Sequence, residues 1–326
     1  MSGIRVLVAG ASIAGPALAD WLRRRGAEVT VVERAPGLRP GGQAVDARGV
    51  AREVIRRMGL DAVVRAACTE TVGAYTVDVD GNVLETFRAD DDGGDGFIAE
   101  IEILRGDLSR VLHEDTRDGV EYVFGDRIAE LTQDARAMAM FSFPSADFDV
   151  DYRDVAAQKR LLRERMAGFG WLTPRILAHL DDTPDFYLDQ VAQVVMGRWS
   201  SGRVGLLGDA AFCSSPMSGQ GTGLALVGAY LLAGELAAAG WDPEAGFAGY
   251  EGRMRSFVEA NQEIGRMHAR SREVPEPDAE PSPEPDMESL MELVERAING
   301  VELPGYAGVP DSGAPAGPPI TSSATP

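Results

Sequence analysis

The chain has 326 residues, 44% hydrophobic and 25% charged, an ordinary globular composition with room for one large α/β domain or two smaller ones. Its formal net charge of −20 excludes a nucleic-acid surface, since phosphate binding needs clustered lysine and arginine. Two cysteines far apart, Cys68 and Cys213, build no disulfide framework and fit a reducing cytoplasm.

"IRVLVAG" (4–10) reads as a fully buried strand, being apolar and β-branched rather than alternating. "AGPALADWLRRRG" (14–26) reads as a helix closed by Gly26, and "EVTVVER" (28–34) as the next strand. Together they form a βαβ unit, which implies a parallel sheet and a right-handed crossover. This reading accounts for the early glycines better than a secretory leader does. Helices follow over 50–60 and 106–119, with a hairpin around Asp80-Gly81 within 74–89 and a strand over 120–125.

Beyond residue 134 the pattern changes. Residues 135–150 are strand-like and 156–180 are helical with Gly168 and Pro174 interrupting. Residues 186–209 offer two or three strands and end in a buried one at Arg203 to Leu207. A long apolar helix (223–239) and a polar one near 247–270 follow. The apolar run is nearly long enough to cross a bilayer, but Glu235 within it and the lack of flanking bases favour a buried helix over a membrane span. Residues 273–326 are rich in proline and acid, with Arg296 as the one base; they read as a solvated linker or tail with a short helix over 286–300.

Two stretches carry chemistry. In "GASIAG" (10–15), set between strand and helix, Gly10 permits a tight turn and Gly15 lets helix and strand pack closely. The amides of Ser12, Ile13 and Ala14 open the helix, where its positive end suits a pyrophosphate. Ser12 stands at the middle position, where glycine gives the closest approach. Glu33, with Arg34 beside it, ends the second strand about twenty residues on, placed to accept from ribose hydroxyls. An acid there disfavours a 2′-phosphate, so FAD or NAD fits better than NADP, and this motif alone does not separate the two.

The second stretch is "GDAAFCSSPMSGQGTGLAL" (208–226). Asp209 follows an apolar run and is suited to accept hydrogen bonds from a sugar-alcohol chain. Pro216 fixes its own backbone, and Gly219, Gly221 and Gly223 let amides face a ligand. The helix starting near Thr222 directs its positive end at the same place.

These two stretches, with "EILRGDLSRVL" (102–112), resemble the FAD-dependent aromatic-ring hydroxylases, the class A flavoprotein monooxygenases. The nearest branch is the one that oxidises polyketide and tetracycline-like aromatics. The likeness covers residues 1–134 and 186–270. It implies a Rossmann-like α/β FAD-binding domain with a parallel sheet (1–134 and 203–270), a reduced substrate-binding β-sheet region (135–202), C-terminal helices, and the acidic tail (271–326). It also implies resident FAD, NAD(P)H as transient electron donor, O2, and an aromatic or polyketide-like small molecule, with no nucleic-acid or membrane partner. By resemblance Arg105 contacts the FAD phosphates or ribityl chain, Asp209 binds the ribityl chain and Pro216 lines the flavin. Gly219 to Gly223, including Gly221 and Thr222, hold its pyrimidine edge, and Gly42 and Gln43 approach from the other side. Read without the likeness, Arg105 serves equally as a helix cap or ion pair, and Asp209 as a helix N-cap.

One expected section is absent. The family's Asp-Gly strand-loop has no counterpart near residues 134–136, as if an internal segment had been deleted. Sheet neighbours and part of a pocket wall go with it. An alternative therefore stands beside the monooxygenase: an FAD-binding accessory or catalytically impaired flavoprotein. His113, His179 and His268 lack metal-ligand spacing, and no catalytic acid or base stands out.

Overall fold

The computed structural model describes residues 4–38, 41–69, 71–78, 81–88, 99–124, 141, 151, 153–170, 172–183, 186–270 and 287–306. Strands β1 (Arg5–Ala9) and β2 (Glu28–Glu33) run parallel, with Arg5 beside Glu28 and Ala9 beside Val32. Helix α1 (Ala14–Arg23) makes the crossover, and its end is tightened by the Gly26 amide donating to the Arg23 carbonyl. Next come β3 (Ala44–Ala47), α2 (Val50–Met58), α3 (Asp61–Ala66) and the hairpin β4 (Gly73–Val77) and β5 (Val83–Arg88). Left-handed Gly59 (φ 79°) closes α2. Of the predicted hairpin turn, Gly81 has φ 90° and Asp80 lies outside the described residues.

Strand β6 (Ile101–Leu104) pairs antiparallel with β3, Ala44 opposite Leu104, and leads into α4 (Arg105–Thr116). Strand β7 (Glu121–Phe124) then joins β2 as the third parallel strand, giving the order β1-β2-β7. The predicted strand over 135–150 lies almost wholly outside the described residues. Helices α5 (Val155–Met166) and α6 (Thr173–Ala178) follow, α5 capped by Asp154 accepting from the Ala157 amide at 2.8 Å. Leu162, Met166 and Leu180 form a small cluster of their own beside them.

The C-terminal half comprises β8 (Ser200–Ser201), β9 (Val204–Gly205), α7 (Asp209–Phe212), α8 (Gly221–Ala238), α9 (Pro243–Arg270) and α10 (Met287–Asn299). Helix α8 is apolar all round and buried from Thr222 to Gly234, packed among α1, α2 and α9. It is long and apolar enough to cross a bilayer, yet 72% of it is buried inside the fold. Trp21 of α1 meets Tyr230 of α8 edge-on, ring centroids 5.0 Å apart, both fully buried.

Three expectations about strands need correction. Strand β1 is buried on one face only: Val8 is covered, while Leu7 is 72% exposed. Residues 186–198 form no strand, because among the described residues no neighbouring strand takes their backbone hydrogen bonds. They are tied instead by the Val194 amide donating to the Cys213 carbonyl and by Gln193 Nε2 donating to the carbonyls of Ser214 and Gln262. The strand expected at Arg203 to Leu207 shrinks to β9, with Val204 exposed.

Composition also places residues 287–306 in a solvated tail, whereas here they dock. Leu293 and Ala297 of α10 pack on Ala260 and Ile264 of α9. Beyond α10, Tyr306 donates to Glu235 at 2.6 Å, and its ring fills the space that a β-carbon on Gly234 would occupy.

Candidate functional site

Gly10 leaves β1 at φ 103°, its amide donating to the Val32 carbonyl at 2.7 Å. A β-carbon on Gly15 would overlap the Gly10 carbonyl oxygen, so both glycines are dictated by the turn. Ser12, Ile13 and Ala14 bring the chain into α1, whose first amides have no intrahelical acceptor. At the end of β2, Glu33 folds back: its Oε2 accepts from the Ala11 amide and its Oε1 from the Ala35 amide, each at 2.8 Å. Arg34, next to it, is exposed.

The second stretch arrives at the same place. Gly208, at φ 64°, lies against α1, where a β-carbon on it would stand 3.3 Å from that of Ala14. Gly208 is the N-cap of α7, so Asp209 is the first residue of that short helix rather than its cap. The Asp209 carboxylate reaches the start of α8, 4.0 Å from the β-carbon position of Gly221. Buried Thr222 and Gly223 carry α8 onward, Gly223 lying 3.5 Å from the Ala51 β-carbon by the same measure. Gly10–Gly15, Glu33, Asp209 and Gly221 thus belong to one neighbourhood, linked through the approach of Gly208 to Ala14.

A third loop is held by α4. Gly41 and Gly42, at φ 67° and 93°, turn the chain so that the Gly41 and Gln43 carbonyls accept from the Gly106 and Arg105 amides at 2.8 and 3.0 Å. Arg105 heads α4 with its side chain exposed. Further along, Asp46 is pushed up from the ordinary carboxyl range by burial, against the pull of Arg48 at 2.8 Å.

Pro216 and Gly219 are anchored to α9 rather than to the Gly10–Gly15 turn. Pro216 opens a short 3-10 turn, and Gly219 (φ 66°) closes it. The His268 ring nitrogen Nδ1 pairs with the Met217 carbonyl at 2.8 Å. The loop is stiffened by serines that sequence reasoning missed. Ser214 and Ser218 hydroxyls pair at 2.7 Å, Ser218 donates to the Ser215 carbonyl, and the Ser215 hydroxyl accepts from the Met217 amide. Only the density of small polar residues in "CSSPMSGQG" signals this role. Burial pushes the Cys213 thiol up, and the Asp209 carboxylate beside it acts in the same direction, which favours the protonated form. Ser109, also missed, is buried on α4 against the Gly10–Gly15 turn.

Chemically, two helix starts present positive ends, each equivalent to about half a charge, with open amides. Glu33 and Asp209 supply carboxylates that accept from hydroxyls. This donor set suits a long ligand with an anionic centre and a polyol on either side. Among the described residues no cluster of His, Cys, Asp and Glu is disposed to hold a metal ion.

Comparison with known proteins agrees with this geometry. The family described as FAD binding domain matches residues 3–152 and 183–263. A protein of Mycobacterium tuberculosis is 38% identical, the match covering 79% of this chain and 91% of that protein. A flavin-dependent monooxygenase of Legionella longbeachae is 31% identical, covering 93% of this chain and 98% of that enzyme. That alignment spans 390 positions against the 326 residues of this chain, so the relative carries at least 64 positions with no counterpart here. The crystal structure of the tetracycline destructase Tet(55) is similar at a TM-score of 0.75 and 30% identity, covering 93% of this chain and 99% of that one.

Proposed function

Because the chain belongs to the FAD-binding-domain family of flavin-dependent monooxygenases, we propose that its three loops divide one FAD molecule among them. The protein is an FAD-dependent monooxygenase acting on a small molecule, and NAD(P)H is the electron donor typical of its family. FAD, when bound, accepts hydride from the nicotinamide and activates O2 for transfer to the substrate ring. The chain supplies binding, orientation and charge.

Glu33 takes the adenosine ribose, with Arg34 at its rim. The amides of Ser12 to Gly15 and the Arg105 guanidinium take the pyrophosphate, and Asp209 takes the ribityl hydroxyls. Gly42 and Gln43 border the ring system on one side; Pro216, Gly219, Gly221, Thr222 and Gly223 border it on the other. The start of α8 then favours negative charge on the pyrimidine edge by about 1 kcal/mol. Residues 1–134 and 203–270 form the cofactor half and 135–202 the substrate half. The substrate is an aromatic, polyketide-like molecule of fused rings, a reading supported by the likeness to the tetracycline destructase. The two free cysteines support a cytoplasmic setting.

The observation supporting this reading is the approach of Gly208 to Ala14, which brings segments almost two hundred residues apart together. Purified protein incubated with FAD and desalted is expected to be yellow, and to consume NAD(P)H in step with hydroxylation of a tetracycline-type substrate. A colourless protein after excess FAD overturns it.

A second reading, an FAD-binding protein without productive hydroxylation, is favoured by the uncovered face of the parallel sheet and the shorter chain. It predicts a yellow protein that forms no hydroxylated product with any substrate, and steady product formation removes it.

A further inference from the structure

The Gly10–Gly15 turn is held from behind by a residue outside both nucleotide motifs. Ser109, on the second turn of α4, is buried, and its Oγ lies 3.0 Å from the carbonyl oxygens of both Ala11 and Ser12. One hydroxyl proton is shared between the two acceptors. A peptide unit is planar and trans, so a carbonyl and the following N–H point in opposite directions. Drawing the Ala11 and Ser12 carbonyls toward α4 therefore turns the amides of Ser12 and Ile13 away from it, out in front of α1.

The same helix holds the opposing loop, through the Arg105 and Gly106 amides that bind the carbonyls of Gln43 and Gly41. Arg105 and Ser109 are four residues apart and so share one face of α4. Helix α4 is a single platform behind two loops that contain no residue of its own.

We infer that Ser109 is a positioning residue for cofactor binding: by fixing two carbonyls it aims the Ser12 and Ile13 amides at the pyrophosphate of FAD. This rests on the flavin reading above. The competing role, satisfying two buried carbonyls for stability alone, acts on every ligand alike. Aiming acts only on ligands that carry a pyrophosphate.

The experiment titrates the full chain and its Ser109→Ala, Ser109→Cys and Ser109→Thr variants with FAD, ADP and riboflavin, and records the melting temperature of each. Ser109→Ala is expected to bind FAD and ADP about tenfold more weakly, with riboflavin affinity changed less than about twofold, the scale of one lost hydrogen bond. Ser109→Thr, which keeps the hydroxyl, restores the FAD and ADP affinities. Should Ser109→Ala fail to fold, Ser109→Cys, close in shape and a weak donor, is expected to show the same selective loss. Equal affinity for FAD and ADP in wild type and the Ala or Cys variant overturns the inference, as does a parallel loss of all three ligands. Wild-type protein that binds no FAD overturns the flavin reading as well, and the two failures are thereby distinguishable.

Discussion

On one side of the parallel sheet, Val8, Val29 and Val31 are buried against α1, and Tyr122 and Phe124 pack against His113 of α4. On the other side, Leu7 is 72% exposed, Val32 37% and Val123 46%, although Ala9, Val32 and Val123 lie in register across the three strands. The two faces also differ in sequence: Val6, Val8, Val29, Val31, Tyr122 and Phe124 share the covered one, whereas Arg5, Glu28, Thr30 and Glu121 stand among the apolar residues of the other. Among the described residues one cover is present. The flavin-dependent monooxygenase of Legionella longbeachae, aligned over 98% of its length, carries at least 64 positions with no counterpart here. The Gly10–Gly15 turn leaves β1 at the rim between the two faces and is braced by Ser109 of α4 on the covered side.

The contrast can be broken most sharply on the covered side. Trp21→Ala removes a fully buried indole packed on Tyr230 and is expected to cost about 3–5 kcal/mol in denaturant unfolding. A loss below about 1 kcal/mol would show that this side is not the core. At the rim, Asp209→Ala should weaken FAD binding by about 1–3 kcal/mol while leaving the melting temperature of the FAD-free protein nearly unchanged. Unaltered FAD affinity in a folded variant would place the ribityl chain elsewhere. On the bare side, Leu7→Thr is expected to change stability by less than about 0.5 kcal/mol and to lower the binding of a hydrophobic dye. A large destabilisation there would mean that the face is covered in solution.

The smallest effect is a titration on the covered side. Burial, and then the Arg117 charge, hold the His113 ring below the ordinary histidine value, so the fold favours its neutral form. That contribution is fully present above about pH 6.5 and is lost as pH falls through the ordinary and then the folded value. Because the ring is partly exposed, a drop of only about 1–2 °C in melting temperature is expected between pH 7.5 and 5.5. His113→Gln should flatten that part of the profile, and an unchanged slope would remove His113 as its source.

The first glycine turn and helix α8 were legible because their constraints are local. Gly10 and Gly15 are demanded by a turn whose atoms all lie within six residues, and the apolar run of α8, with Glu235 inside it, favours a buried helix. Arg105 stood out by family likeness, whereas Ser109 did not: a serine four positions along a helix has no local feature that marks it as the partner of Ala11 and Ser12. The docking of Tyr306 was hidden in the same way, since Gly234 within a helix reads as a weak position until the ring that needs its missing β-carbon is seen.

The chain by itself determined which segments turn and which become helix. Backbone sterics and hydrophobic period act over a few residues, so they can be read one segment at a time. Tertiary structure alone decided that Gly208 meets Ala14, that residues 186–198 find no strand partner among the described residues, and that β1 shows Leu7 to solvent while hiding Val8. Burial and ladder pairing belong to two distant segments together, and neither segment records its partner.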